Sequence, residues 1–139
     1  MSLLDGYFGY NQILVHEDDR DKTMFTTPWG TFHYAKMPFG LKNAGATFQR
    51  VMDIAFTNEK DVFLFVYLDD LTVFSNSDEY HLYHLKIVFQ RCRKYGISLN
   101  PKKSLFAMDA SKLLGHIISK EGIHIDPTQV EALQKIDFP

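Results

Sequence analysis

The segment Val62-Phe-Leu-Phe-Val-Tyr-Leu-Asp69-Asp70-Leu-Thr-Val-Phe74 constrains the fold more than any other stretch. Both flanks are apolar and rich in β-branched or aromatic residues, and each has strand length. The acids between them mark a reversal, so the spacing predicts a hairpin with Asp69 and Asp70 at its tip. Asp-Asp is a poor two-residue turn, where Asn-Gly or Asp-Gly is favoured. Two adjacent carboxylates on apolar flanks also repel each other near a poorly solvated surface. A solvated turn that carries two acids and a site for a divalent cation are both open readings at this point.

Asp5 bears on that choice. It ends a second apolar strand, Leu3-Leu4-Asp5. Alone it is a strand-end cap. If that strand pairs beside the hairpin, three carboxylates meet at one edge, a set that suits Mg²⁺, a hard cation with oxygen ligands.

Between these strands, Tyr7 to Val15 suggests a helical turn and then extended chain. Lys22 to Tyr34 is expected to be a hairpin around Pro28-Trp29-Gly30, and Met37-Pro-Phe-Gly40 a tight loop. From Asn43 to Phe56 the period is helical, with Ala44, Phe48, Val51, Met52 and Ala55 on one face. Ser77 and Asp78 offer a cap for a helix over Glu79 to Tyr95, which Gly96 ends. Short strands are expected at Ile97-Ser-Leu99, Leu105-Phe-Ala107 and Leu113 to Ile118, with Asn100-Pro101 and Gly115 between or within them. Asp126-Pro127 opens a last helix that runs to Lys135. The aromatic stripe Phe63, Phe65, Tyr67 is assigned to the core. His81 and His84 are assigned to a helix surface rather than to a metal. Strands mixed with two sizeable helices predict an α+β fold, an antiparallel sheet backed by helices on one face.

The 139 residues suffice for one domain with a real core. No apolar run approaches the ~18–20 residues of a membrane span, and no secretory leader is visible. The single cysteine, Cys92, excludes a disulfide framework and a cysteine zinc site, which fits a reducing, intracellular setting. A net charge of −2 excludes a strongly basic nucleic-acid binder, although Arg91-Arg93-Lys94 and Lys102-Lys103 leave room for a local basic face. Met1-Ser2-Leu3 can be read as an expression scar.

Motifs that follow one another along the chain give a resemblance. Tyr67-Leu-Asp-Asp70 after an apolar run resembles the Tyr-X-Asp-Asp signature of reverse transcriptases. Leu4-Asp-Gly-Tyr-Phe-Gly-Tyr-Asn-Gln-Ile13 resembles their first catalytic motif, and Met37-Pro-Phe-Gly-Leu-Lys-Asn-Ala-Gly-Ala-Thr-Phe-Gln-Arg50 the palm motif that follows it. Leu113-Leu-Gly-His-Ile-Ile-Ser119 is similar to the primer-grip hairpin, and Asp126-Pro-Thr-Gln-Val-Glu-Ala-Leu133 to the segment that follows in the gypsy-type branch of long-terminal-repeat retrotransposons. Together they cover nearly the whole chain.

The resemblance implies a right-hand polymerase palm with part of the fingers over residues 1–139. Fingers upstream, a thumb and an RNase H domain would be supplied by a parent Pol polyprotein. It implies Asp5, Asp69 and Asp70 as the catalytic triad holding two Mg²⁺ ions, with Mn²⁺ able to substitute. Tyr10 would lie under the incoming sugar, Phe39 and Gly40 would line the nucleotide pocket, and Lys102 or Lys103 would stand near the pyrophosphate. Gln49 and Arg50 would point to the template strand or the core, and Leu114, Gly115 and His116 would hold the primer terminus. Phe8 stands where the family has a small residue. The implied partners are an RNA or DNA template-primer and deoxynucleoside triphosphates, in a cytoplasmic particle of a retroelement and without a membrane. An inert nucleic-acid-binding or self-associating palm fragment is the alternative, and this chain alone is expected to polymerise poorly.

Overall fold

Alternation of buried and accessible residues builds the sheet around its first strand. The computed structural model describes residues 1–7, 9–113, 115–119 and 121–135. In β1 (Ser2–Gly6), Ser2, Leu4 and Gly6 are buried on one face, and Leu3 and Asp5 face the other way. Ser2, read from sequence with Met1 and Leu3 as an expression scar, is thus the first residue of a packed strand. A 3₁₀ turn (Gly9–Gln12) and the short helix α1 (Glu17–Arg20) follow. The strands β2 (Phe25–Thr27) and β3 (Gly30–Phe32) form the expected separate hairpin.

Helix α2 (Ala44–Ala55) buries Ala44, Phe48, Met52 and Ala55, the face that its apolar period predicts. The strands β4 (Leu64–Tyr67) and β5 (Asp70–Val73) form the hairpin, and α3 (Asp78–Tyr95) comes next. The Ser77 hydroxyl caps α3 by accepting from the Tyr80 N–H at 3.4 Å, and Gly96 ends the helix at φ 67°. β6 (Leu99–Leu105) completes an antiparallel sheet of order β4-β5-β1-β6. β7 (Ser111–Leu113), β8 (His116–Ser119) and β9 (Gly122–Ile125) make a second antiparallel sheet, followed by α4 (Pro127–Gln134).

The core lies between the first sheet and α2 and α3. Leu4, Leu64, Val66, Leu71 and Val73 from the strands meet Phe48, Met52, Leu85 and Val88 from the helices. Each large side chain fully buried there contributes about 1.5–3 kcal/mol. The α+β expectation therefore holds, with helices on one face.

Five local expectations are corrected. Asn100-Pro101 is not a turn between two strands, because both residues lie inside β6, an edge strand whose register against β1 shifts between Leu3 and Asp5. Proline is tolerated at such an edge irregularity. Strand structure stops at Leu105, so Phe106 and Ala107 are not in it. Leu113 to Ile118 is not one strand, because the chain reverses at Gly115, φ 79°, and β9 pairs with β8 beyond it. Phe65 and Tyr67 are exposed, since the pleat that turns Leu64 and Val66 inward turns them out. His81 is buried, with its Nε2 2.7 Å from the Ser2 hydroxyl.

Candidate active site

The register of β1 against β5 sets Asp5 directly opposite Asp70. The next pair in the register, Leu4 and Leu71, is buried in the core, so the pleat turns Asp5 and Asp70 to the face that the helices do not cover. The reversal between β4 and β5 is made by Leu68 and Asp69 rather than by the two acids, and Leu68 alone of that pair has a positive φ, 50°. A positive φ at the first of two turn residues is a glycine position. Leucine there strains the backbone by about 1–3 kcal/mol.

That turn is held from two sides. The Gly6 N–H donates to the Asp69 carbonyl at 2.7 Å, and the Leu68 N–H donates to Gln49 Oε1 at 2.9 Å. Gln49, expected to face the template or the core, thus faces the turn. The Asp69 side chain lies against Gly9, where an added Cβ would stand 2.8 Å from Asp69 Cγ and 3.1 Å from Oδ2. Only a residue without a Cβ leaves this carboxylate its place.

The electrostatics are unfavourable as they stand. Partial burial, then the charges of Asp5 and Asp70, hold the Asp69 carboxyl above the ordinary carboxylate range, and Lys103 offsets part of this. Burial and Asp5 push Asp70 the same way. Asp69 Oδ1 is buried without a hydrogen-bond partner. An unpartnered anionic oxygen beside two further carboxylates suits a hard divalent cation in kind and in place. Among the described residues no three His, Cys, Asp or Glu side chains are already drawn into ligating geometry. Like charges hold the carboxylates apart, and Lys103 Nζ stands 3.9 Å from Asp5 Oδ2.

A cleft of about 660 Å³ opens at this end of the sheet, lined by Asp5, Gly6, Asp69, Phe39, Lys102 and Lys103 among others. The irregularity in β6 aims the lysines there, as bulges often do beside a site. Two side chains fix it. The Ser104 hydroxyl accepts from the Asp5 N–H at 3.3 Å and donates to the Asn100 carbonyl at 2.7 Å. Asn100 Oδ1 accepts from the Lys102 N–H at 3.1 Å. Phe39 is 63% exposed, next to Gly40 at φ 93°. Tyr10 packs edge-on against Phe39 (centroids 5.4 Å apart) and Phe48 (5.8 Å), between the cleft and the core.

The fold therefore gathers Asp5, Asp69, Asp70, Phe39, Lys102 and Lys103, with Tyr10 behind Phe39. It does not gather the rest. Arg50 is exposed on α2. Gly115 and His116 belong to the second sheet, where His116 borders an apolar hollow of about 440 Å³ with Phe65, Thr72, Phe74 and Ile118. Leu114 and Phe8 lie outside the described residues. Sequence reasoning missed Gly9, Ser104 and Gln12. The Gln12 amide clamps the approach to β6: Oε1 accepts from the Ser98 N–H at 2.7 Å, and Nε2 donates to the Ser98 and Tyr7 carbonyls at 3.0 and 2.5 Å. Gly6 and Gly9, spaced three apart after Asp5, were the available signal for close backbone approach.

Comparison with known proteins bears on the family and the fold. Residues 1–118 match the family model described as reverse transcriptase (RNA-dependent DNA polymerase). The chain is 38% identical over 138 residues to the retrovirus-related Pol polyprotein from transposon 412 of Drosophila melanogaster, covering 99% of this chain and 11% of that protein. It is 41% identical over 123 residues to the enzymatic polyprotein of cauliflower mosaic virus (strain NY8153), covering 88% and 18%. The foamy viral protease-reverse transcriptase dRH in complex with double-stranded DNA superposes with a TM-score of 0.88 at 24% identity, over 99% of this chain and 24% of that one. The same viral protein in complex with an RNA/DNA hybrid gives 0.83, also at 24% identity, over 99% and 19%. The chain thus spans less than a fifth of the curated relatives described. The α+β polymerase-palm-like fold expected from the sequence is the fold it has.

Proposed function

The chain belongs to the reverse-transcriptase (RNA-dependent DNA polymerase) family, and we propose from that premise that it is the palm, with part of the fingers, of a retroelement Pol polyprotein, working in an intracellular particle. The reaction proposed is template-directed nucleotidyl transfer. The 3′-hydroxyl oxygen of a primer forms a bond to the α-phosphorus of a deoxynucleoside triphosphate. The bond from that phosphorus to the β-phosphate oxygen breaks, pyrophosphate leaves, and the hydroxyl proton is lost.

The observation that carries this reading is the Asp5–Asp70 register with Asp69 in the adjoining turn, one carboxylate oxygen buried and unpartnered. Asp5, Asp69 and Asp70 would hold two Mg²⁺ ions, or Mn²⁺ in their place, which when bound supply hydroxyl activation and charge stabilisation at phosphoryl oxygens. Lys102 and Lys103, in the same cleft, would attract the triphosphate and neutralise charge on the departing pyrophosphate. Phe39 offers an exposed ring to the nucleotide. Tyr10 holds that ring from behind, and we assign it the exclusion of a 2′-hydroxyl. Template sequence would be read by base pairing, so that Arg50 and the 115–116 turn need only contact backbone.

The test is Mn²⁺ titration of this chain by electron paramagnetic resonance, paired with single-nucleotide addition to a labelled template-primer. Asp5→Asn and Asp69→Asn should each weaken Mn²⁺ binding at least tenfold and remove any addition. Wild-type Mn²⁺ affinity in both variants, with the fold intact, overturns the proposal.

A further inference from the structure

Helix α2 bonds to the Leu68–Asp69 turn through Gln49, and that residue is not alone. Its amide has two unlike ends. Oε1 accepts from the Leu68 N–H at 2.9 Å, and Nε2 donates to Asp53 Oδ1 at 3.2 Å, one helical turn along. The same Asp53 oxygen takes the Lys60 ammonium at 2.5 Å. Lys60 lies in the connection that leads into β4, and Leu68 follows the end of β4. Residues 49 and 53 of one helix therefore grip both ends of the strand that delivers Asp69.

The order of charges along this chain has a consequence. An ionised carboxylate can only accept, so Asp53 turns the NH₂ end of the Gln49 amide towards itself and leaves the oxygen for Leu68. Lys60 sits against Asp53, and its hydrogen bond holds the Asp53 carboxyl below the usual range. Without that carboxylate the NH₂ end of the amide loses its fixed partner, and only the Leu68 N–H is left to orient the side chain. That N–H belongs to the residue with the strained φ of 50°, immediately before Asp69. Release of the N–H loosens the turn at the point that aims the Asp69 carboxylate past Gly9.

We propose that Gln49, Asp53 and Lys60 form a positioning relay that fixes the Leu68–Asp69 turn and so sets the Asp69 carboxylate for its cation. None of the three touches the cation or the substrate; each acts through the next. This deepens the polymerase reading and rests on it for its functional meaning. It also replaces the template contact expected of Gln49. Asp53 and Lys60 are both partly exposed, and an exposed ion pair of this kind contributes little to overall stability. The relay should therefore show in the site more than in the melting temperature.

The experiment uses the full chain and Mn²⁺ alone as probe. Gln49→Leu and Asp53→Leu are each expected to weaken Mn²⁺ binding about tenfold, the scale of an outer partner of a metal ligand. Because both act through one hydrogen bond, the double variant should bind no worse than either single one. Melting temperatures should stay close to wild type, and Asp53→Ala serves if Asp53→Leu melts early. Lys60→Arg should bind Mn²⁺ as wild type does. Amide exchange at Leu68, followed by NMR, should be slow in wild type and faster in Asp53→Leu. Wild-type Mn²⁺ affinity in Asp53→Leu, or losses in the double variant that multiply, overturns the relay. If wild type shows no Asp69-dependent Mn²⁺ binding, the polymerase reading fails separately. The relay is then decided by the Leu68 amide: faster exchange in Asp53→Leu sustains it, and unchanged exchange overturns it.

Discussion

Replacement of Gly9 by alanine should damage the site while sparing the fold. Gly9 lies in the 3₁₀ turn after β1 with a backbone that any residue can adopt, since it is absent from the positive-φ glycines. Alanine therefore costs nothing in backbone strain and gains up to about 1 kcal/mol of helical preference. Its Cβ would stand 2.8 Å from Asp69 Cγ, against the 3.4 Å at which ordinary contact begins, so the carboxylate must retreat by 0.6 Å or more. The retreat is made by the end of a side chain, so it costs little stability. Functional geometry tolerates only about 0.5 Å, and a displacement near 1 Å can cost about a hundredfold in rate. An intermediate value, about a tenfold fall in Mn²⁺ affinity, is expected for Gly9→Ala. Mn²⁺ titration followed by electron paramagnetic resonance measures it, with a thermal melt by circular dichroism beside it. A Gly9→Ala chain that binds Mn²⁺ with wild-type affinity would refute the argument that Gly9 makes room for Asp69. A melting point lowered by ~10 °C or more would refute the claim that the damage is local.

Three other perturbations follow from the same structure. Asp70 has a folded pKa above its unfolded value, so its ionisation costs stability as pH rises from 3.8 through the raised value, and the cost persists above it. Asp70→Asn should therefore raise the melting temperature at pH 7 without divalent cations and abolish tight Mn²⁺ binding; a lower melting temperature would contradict the sign. Burial, then the N-terminal charge and His84, hold the His81 imidazole below its usual 6.5. The unfolded chain then takes up the proton first, so stability is full above 6.5 and falls as pH drops from there towards the depressed folded value. His81→Gln should flatten urea-denaturation midpoints measured across that window, and an unchanged slope would show that another group titrates. Arg91 meets Glu59 Oε1 through Nε at 2.9 Å and through a terminal nitrogen at 2.8 Å, and the Glu59 side chain is only 6% exposed. Arg91→Met leaves that carboxylate buried and unpaired, so a loss of about 3 kcal/mol is expected in urea denaturation; a loss under ~1 kcal/mol would mean that water reaches Glu59.

Periodicity was a reliable guide wherever one face of an element is buried and the other is not. Of the α2 face predicted from Ala44, Phe48, Val51, Met52 and Ala55, all but Val51 is buried, and Gly96 ends α3 in the conformation only glycine takes cheaply. Long-range placement was legible only through order and chemistry. The Asp5–Asp70 pairing depends on a register between strands 65 residues apart, which no local pattern encodes. Phe65 and Tyr67 were assigned to the core on hydrophobicity alone, although the alternation with Leu64 and Val66 held the correct answer. His81 was missed because its partners come from elsewhere: Ser2 Oγ on β1 at 2.7 Å and Ser75 Oγ before α3 at 3.2 Å.

Three of the places where local rules break lie together. Leu68 adopts a glycine conformation, Asp69 buries an unpartnered oxygen, and Pro101 interrupts the pairing of a strand. All three lie at the end of the sheet that carries the carboxylates, and Asp69 and Pro101 line the same cleft. The opposite end of β1 also carries a positive φ, 53° at Ala107, but its polar groups are paired. There Ser2 Oγ accepts from the Ala107 N–H at 3.1 Å and pairs with His81, whose other nitrogen pairs with Ser75. A sequence that satisfies its polar groups at one end of a strand and leaves them strained and unpaired at the other is not merely poorly packed. The strain is tolerated because the surrounding elements over-determine it: Gln49 holds Leu68, Gly6 holds the Asp69 carbonyl, and Ser104 holds the shifted register of β6. Each of these supports is itself dispensable to the core, which makes the site, rather than the fold, the part of this chain most exposed to single substitutions.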